Sequence, residues 1–83
     1  MRLTYDASVD AAYIYFVDHI GDGAVSETFP CEPRGGKGSI NLDFDASGRL
    51  LGIEVLGARA ILPADVLNKA EWSTTQEALG DKR

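Results

Sequence analysis

The sequence predicts an α+β domain: an antiparallel meander of four to five β-strands with one C-terminal helix packed on one face. Three observations predict it. Apolar and polar residues alternate with a period of two in several short runs up to Leu56, the signature of half-buried strands. Asp, Ser and Gly residues with turn chemistry separate those runs. Beyond them Leu62, Val66, Leu67 and Ala70 recur at helical spacing behind Pro63, giving one apolar stripe to lay on a sheet.

Each element follows from its own residues. Arg2 to Asp6 alternates, with Leu3 and Tyr5 facing one way and Arg2 and Thr4 the other. Asp6 to Asp10 supplies a turn, because Asp and Ser side chains bond nearby backbone N–H groups. Ala11 to Val17 is apolar on both faces, Tyr13, Tyr15 and Val17 on one and Ala12, Ile14 and Phe16 on the other. A strand of that kind asks for cover on both sides. Asp18 to Gly23 reads as a loop. Val25 to Phe29 alternates again, and Glu27 among its apolar residues marks an edge strand. Pro30 and Pro33 interrupt that pattern and lead into Glu32 to Gly38, which holds three of its seven residues as glycine. Ser39 to Leu56 then forms the central hairpin, turning at Asp45, Ala46, Ser47 and Gly48. Gly57 to Leu62 leaves the sheet as a turn or short helical piece. Pro63 to Ala70 is the helix, with Pro63 opening it and Asp65 complementing its dipole. Trp72 anchors the next turn. Residues 1–72 thus make a single domain, and residues 73–83 a short helical or frayed tail in which Thr74 and Glu77 have capping-box spacing.

Size and charge narrow the function classes. A domain of 83 residues buries only roughly 60–65% of its unfolded surface and often gains the missing stability from disulfides, metals or self-association. A single cysteine, Cys31, excludes an internal disulfide and a four-cysteine zinc site, and one histidine excludes a histidine-rich centre. Self-association, or a well-packed core, is left. Together with the two-sided apolar strand this predicts a dimer, with Tyr13, Tyr15 and Val17 as the candidate interface. Thirteen acidic against eight basic residues give a formal net charge of −5, which argues against nucleic acid and anionic membranes as partners. No apolar run reaches the ~18 residues of a spanning helix and no signal-peptide core is visible, so the expectation is a cytoplasmic protein.

The central hairpin also carries a calcium-like pattern. Counted from Asp43, Asp45 and Ser47 fall at positions three and five, Gly48 at six and Glu54 at twelve, as in a helix–loop–helix calcium site. Such a loop sits between two helices, whereas both flanks here alternate as strands. On a hairpin Glu54 lies about 20 Å up the returning strand from the turn, beyond closing around the aspartates, although cross-strand pairing can bring it near Asn41. The hairpin reading is preferred, and no metal or other cofactor is expected.

Asp43, Asp45, Gly48, Gly52, Ile53, Glu54 and Val55, with the earlier Tyr5-Asp6, Asp10 and Tyr13-Ile14, resemble a bacterial family described as domain of unknown function 2283. The resemblance covers roughly the first 60 residues. It implies no activity and no catalytic residues, since the family has none assigned. It carries one further implication, an antitoxin-like pairing with a small protein partner.

Among residues that carry chemistry, Glu54 is the candidate functional acid. It sits beside Gly52, and a glycine inside a strand marks close approach of another backbone or a large ring. The structural alternative is a cross-strand pair, with Arg59 as a candidate partner. His19 lies in a loop without a matching nucleophile or acid, Cys31 lacks a basic neighbour, and Gly35 to Ser39 has neither the spacing nor the following helix of a phosphate loop. The functional expectation is therefore a non-enzymatic interaction module, a homo-oligomer or the partner of another small protein. The alternative is a small enzyme or ligand-binding domain using Glu54 and the nearby aspartates.

Overall fold

The computed structural model describes residues 1–73. Its elements in chain order are β1 (Arg2–Asp6), β2 (Ala11–Tyr15), β3 (Glu27–Cys31), β4 (Ser39–Phe44), β5 (Leu50–Leu56), α1 (Ala58–Ile61), α2 (Ala64–Asn68) and β6 (Glu71–Ser73). The strands form one sheet in the order β3-β4-β5-β2-β1-β6. The first five pair antiparallel, as two hairpin-linked groups, β1-β2 and β3-β4-β5, that meet where β2 lies beside β5. The α+β class and the antiparallel sheet agree with the sequence reading.

The C-terminal part follows the sequence reading, a short helical piece α1 and then a separate helix α2 behind Pro63, although α2 ends at Asn68. Proline disfavours a helical conformation in the residue before it. Leu62 is accordingly extended, and it separates α1 from α2, which Pro63 caps. Trp72 lies in a strand instead of a helical turn, because β6 pairs parallel with β1. β5 and β6 run in the same direction, so the chain between them must cross the sheet, and that crossover carries both helices over β2 and β1. Thr74 and Glu77 lie outside the described residues.

Crossover and sheet enclose a small core of Tyr5, Ala12, Val55, Ala58, Leu67 and Ala70, with Leu3, Ala7, Ile53, Ile61 and Leu62 packed against it. Tyr5 and Val55 are the largest fully buried side chains, at 1% and 2% exposure. The turn between β1 and β2 locks the crossover in place. Asp10 adopts a left-handed conformation (φ 53°), and its carbonyl accepts N–H bonds from Gly57 and Ala58, each at 3.0 Å. One oxygen of its carboxylate accepts the Arg59 N–H at 3.0 Å and the Tyr5 hydroxyl at 2.7 Å.

Two strand boundaries differ from the sequence reading. β2 ends at Tyr15, two residues short of Val17, although the Phe16 N–H still reaches the Leu51 carbonyl at 3.0 Å. β3 begins at Glu27 and runs through Pro30 to Cys31. A proline is tolerated there because β3 is the sheet edge and has only β4 to bond. Among the described residues no helix is long and apolar enough to cross a membrane.

Candidate functional site

Because cross-strand partners share a face, the register sorts the side chains into two sides. On one side Leu3, Ile14, Ile53, Leu42 and Phe29 form a rung across five strands, next to a second rung of Tyr5, Ala12, Val55, Ile40 and Cys31. Both helices pack on this side, over the second rung. On the other side Arg2, Tyr15, Gly52, Asp43 and Thr28 form one rung, and Thr4, Tyr13, Glu54, Asn41 and Pro30 the next. This polar face brings together most of the candidate residues, and apart from Gly52 none of its side chains is fully buried.

Its organising contact is Tyr13 with Asp43, 30 residues apart in sequence. Tyr13 pairs with Glu54, but its ring leans diagonally over Gly52 and its hydroxyl donates to Asp43 Oδ2 at 2.5 Å. Gly52 makes this possible. A Cβ there would lie 2.3 Å from Tyr13 Cε1, 2.7 Å from its hydroxyl and 2.8 Å from the Ile14 carbonyl oxygen. The close approach that a strand glycine implies is therefore the Tyr13 ring. Thr28 donates a second hydroxyl to Asp43, at 2.7 Å. Burial, then the hydrogen bond to Asp43 and the Asp43 charge, push the Tyr13 hydroxyl well above the usual tyrosine range, so it stays a donor.

Glu54 is half-buried and accepts a hydrogen bond from Asn41 Nδ2 at 2.9 Å. Arg59 is not its partner. The Arg59 N–H bonds Asp10, and its guanidinium acts on Tyr5 on the other side of the sheet. Beside Tyr13, the Tyr15 ring lies 4.6 Å away centroid to centroid, tilted by 50°. The Arg2 guanidinium covers Tyr15 at 4.0 Å and approaches Glu71 at 3.9 Å. Val17, past the end of β2, is exposed.

The turn residues are occupied with their own backbone. Asp45 accepts the N–H groups of Ser47 and Arg49, both at 2.9 Å, and Arg49 Nε at 3.0 Å. The Arg49 N–H above all, aided by Ser47 and the guanidinium, holds the Asp45 carboxyl below the usual range. Glu54 meanwhile faces Asn41, so the calcium-like spacing does not close on itself. Among the described residues no group of three or more His, Cys, Asp and Glu side chains is placed to hold a metal ion. Chemically, the polar face is a network of hydroxyl and amide donors on two carboxylates beside an aromatic pair. Asp43 was legible only as a turn or ligand residue, since its bond to Tyr13 depends on a register that local sequence does not carry.

The family model described as protein of unknown function (DUF2283) matches residues 2–59. The match spans more than half of the chain, and the chain belongs to that family. It covers Tyr5, Asp10, Tyr13, Asp43, Gly52 and Glu54 and stops within α1. No curated protein and no solved structure matches the chain.

Proposed function

We propose that this member of a family without assigned activity is a non-enzymatic interaction module that works as a homo-oligomer, its protomers joined through the helix-bearing side of the sheet. The observation that carries the reading is the rung Leu3, Ile14, Ile53, Leu42 and Phe29. All five residues are apolar and none is fully buried; Phe29 is 58% exposed. Phe16, one residue past β2 and on the same side by alternation, is 40% exposed. The short helices cover the neighbouring rung and leave this one only partly covered. A contiguous apolar strip of this kind marks an association surface, and an identical strip on a second copy is its simplest complement.

Association at the sheet edge is less favoured. β3 offers an edge with Pro30 at its fourth position, and a proline cannot donate to an added strand. Face-to-face packing needs no edge hydrogen bonds and is driven by apolar burial, about 25 cal/mol per Å².

Size-exclusion chromatography with light scattering tests the proposal. The wild-type chain elutes as a dimer or larger species at micromolar concentration, and Phe29→Glu with Phe16→Glu converts it to a folded monomer. Both positions are exposed, so the variant keeps its circular dichroism spectrum. A wild-type chain that stays monomeric up to millimolar concentration refutes the proposal.

A further inference from the structure

The opposite face of the sheet has a different chemistry, and it contains two carboxylates without a cation. Asp43 accepts two hydroxyls and Glu54 one amide, and among the described residues neither forms an ion pair. In register they are diagonal neighbours on β4 and β5, since Asp43 pairs with Gly52 and Glu54 lies two residues on. Diagonal neighbours stand about 7–8 Å apart, a gap that one guanidinium can bridge. Beside them the Tyr15 ring already carries a guanidinium, that of Arg2, with Glu71 close to the same group. The face thus shows within its own chain how it holds an arginine: a flat aromatic below and a carboxylate at the side.

We propose that this polar face docks an arginine-bearing segment of another protein, with the Tyr13 ring as its aromatic wall and Asp43 and Glu54 as the charge partners. Charge complementarity selects that occupant. Asp6, Asp43, Glu54 and Glu71 outnumber Arg2 among the charged sheet residues on this side, and the whole chain is at −5. A second copy would bring the same carboxylates against these and be repelled, while a cationic segment is attracted and steered in. Asp43 and Glu54 are held in place by neutral donors, so a guanidinium adds to their hydrogen bonds without displacing an ion pair. Arginine is favoured over lysine because its planar group both stacks on tyrosine and forks onto a carboxylate. This surface lies on the side opposite the apolar rung and does not depend on self-association.

The test is a titration of the uniformly ¹⁵N-labelled full chain with a tetra-arginine peptide at low ionic strength, followed by heteronuclear NMR, alongside tetra-lysine. The expected result is a set of saturable shifts centred on Tyr13, Tyr15, Asp43 and Glu54, with tetra-lysine binding several-fold more weakly. Glu54→Gln with Asp43→Asn weakens the arginine peptide about fivefold. Phe29→Gln with Phe16→Gln, which breaks the apolar side without changing the net charge, leaves the affinity unchanged, so failure of the homo-oligomer and failure of this site read out separately. Shifts scattered over the exposed acids Asp18, Asp22 and Asp65, or equal affinity for the two peptides, overturn the proposal. So do shifts of the same four residues with protein concentration alone, which would place a second copy on this face.

Discussion

Two tyrosine–aspartate pairs hold this chain together, and they differ in what each hydroxyl is for. Tyr5 and Asp10 lie five residues apart around one turn and are joined at 2.7 Å, with the ring in the core. Tyr13 and Asp43 lie 30 residues apart across three strands and are joined at 2.5 Å on the polar face, under partial cover. The first pair ties the β1–β2 turn to the start of the crossover, because the same Asp10 oxygen takes the Arg59 N–H. The second pair ties β2 to β4 over the glycine of β5. The same functional groups thus perform a folding task in one place and shape an open surface in the other. The difference lies in what else touches the aspartate: backbone N–H groups at Asp10, side-chain hydroxyls at Asp43.

Breaking the first pair has the largest expected effect. Asp10→Ala removes two hydrogen bonds, one of them from the Tyr5 hydroxyl, and puts alanine at φ 53°. Two lost hydrogen bonds and a left-handed alanine together cost about 2–4 kcal/mol, a large share of the 5–15 kcal/mol typical of a whole domain. Asp10→Asn keeps an acceptor oxygen and tolerates the left-handed conformation, so its loss is a fraction of that. Urea denaturation of the two variants decides the matter, and equal losses would show that the carboxylate charge, not the geometry, is what counts.

Gly52→Ala attacks the second pair through its floor. The added methyl would sit within 2.3 Å of the Tyr13 ring and 2.8 Å of a backbone oxygen, and only the ring can swing away. Overpacking of this kind costs about 2–3 kcal/mol. Gly52→Ala in a Tyr13→Ala background relieves the ring clash but not the Ile14 carbonyl, so denaturation of the double variant recovers part of the loss. Full additivity would mean that the ring and the glycine are not coupled.

The extent to which this was legible in the sequence follows from how local each cause is. The alternation of β1, β4 and β5, the Asp-Ser-Gly turn and the edge position implied by Glu27 are local, and they read correctly. So does the meaning of Gly52, as a place where something large comes close, and Asn41 as a neighbour of Glu54. The identity of the large group was not legible, because Tyr13 reaches Gly52 only once β2 lies beside β5, with β3 and β4 between them in sequence. β6 is three residues long, too short to show a period, and its parallel pairing is set by where the crossover delivers it. Pro30 interrupts the alternation and so reads as the end of β3; an edge strand makes it harmless.

Alkaline pH compares the two pairs in one experiment. Burial first, then the partnering aspartate, raises the pKa of both Tyr5 and Tyr13 above the ordinary 10.0. A raised folded-state pKa means that the folded chain keeps a proton which the unfolded chain releases. The stabilisation is therefore full below pH 10 and declines as pH rises toward the folded-state value. Stability measured by denaturation between pH 9 and pH 11.5 should fall with a slope that Tyr5→Phe and Tyr13→Phe each reduce by the equivalent of up to one proton. An unchanged slope in Tyr13→Phe would mean that its hydroxyl titrates alike in the folded and unfolded chain.

Asp43→Asn is the mildest of these changes and the sharpest comparison of causes. The amide oxygen can still accept from Tyr13, so the hydrogen bond survives while the charge is lost. For the Tyr13 hydroxyl, burial outranks both the Asp43 hydrogen bond and the Asp43 charge. In Asp43→Asn its pKa should therefore fall back only part of the way toward 10.0, with little change in stability. Absorbance titration at 295 nm, with Tyr13→Phe to assign the transition, follows it directly. A return all the way to the ordinary value would show that the carboxylate sets the tyrosine's state. Asp43 would then matter on this face as a charge held toward the surface, and hardly as a peg for the Tyr13 ring.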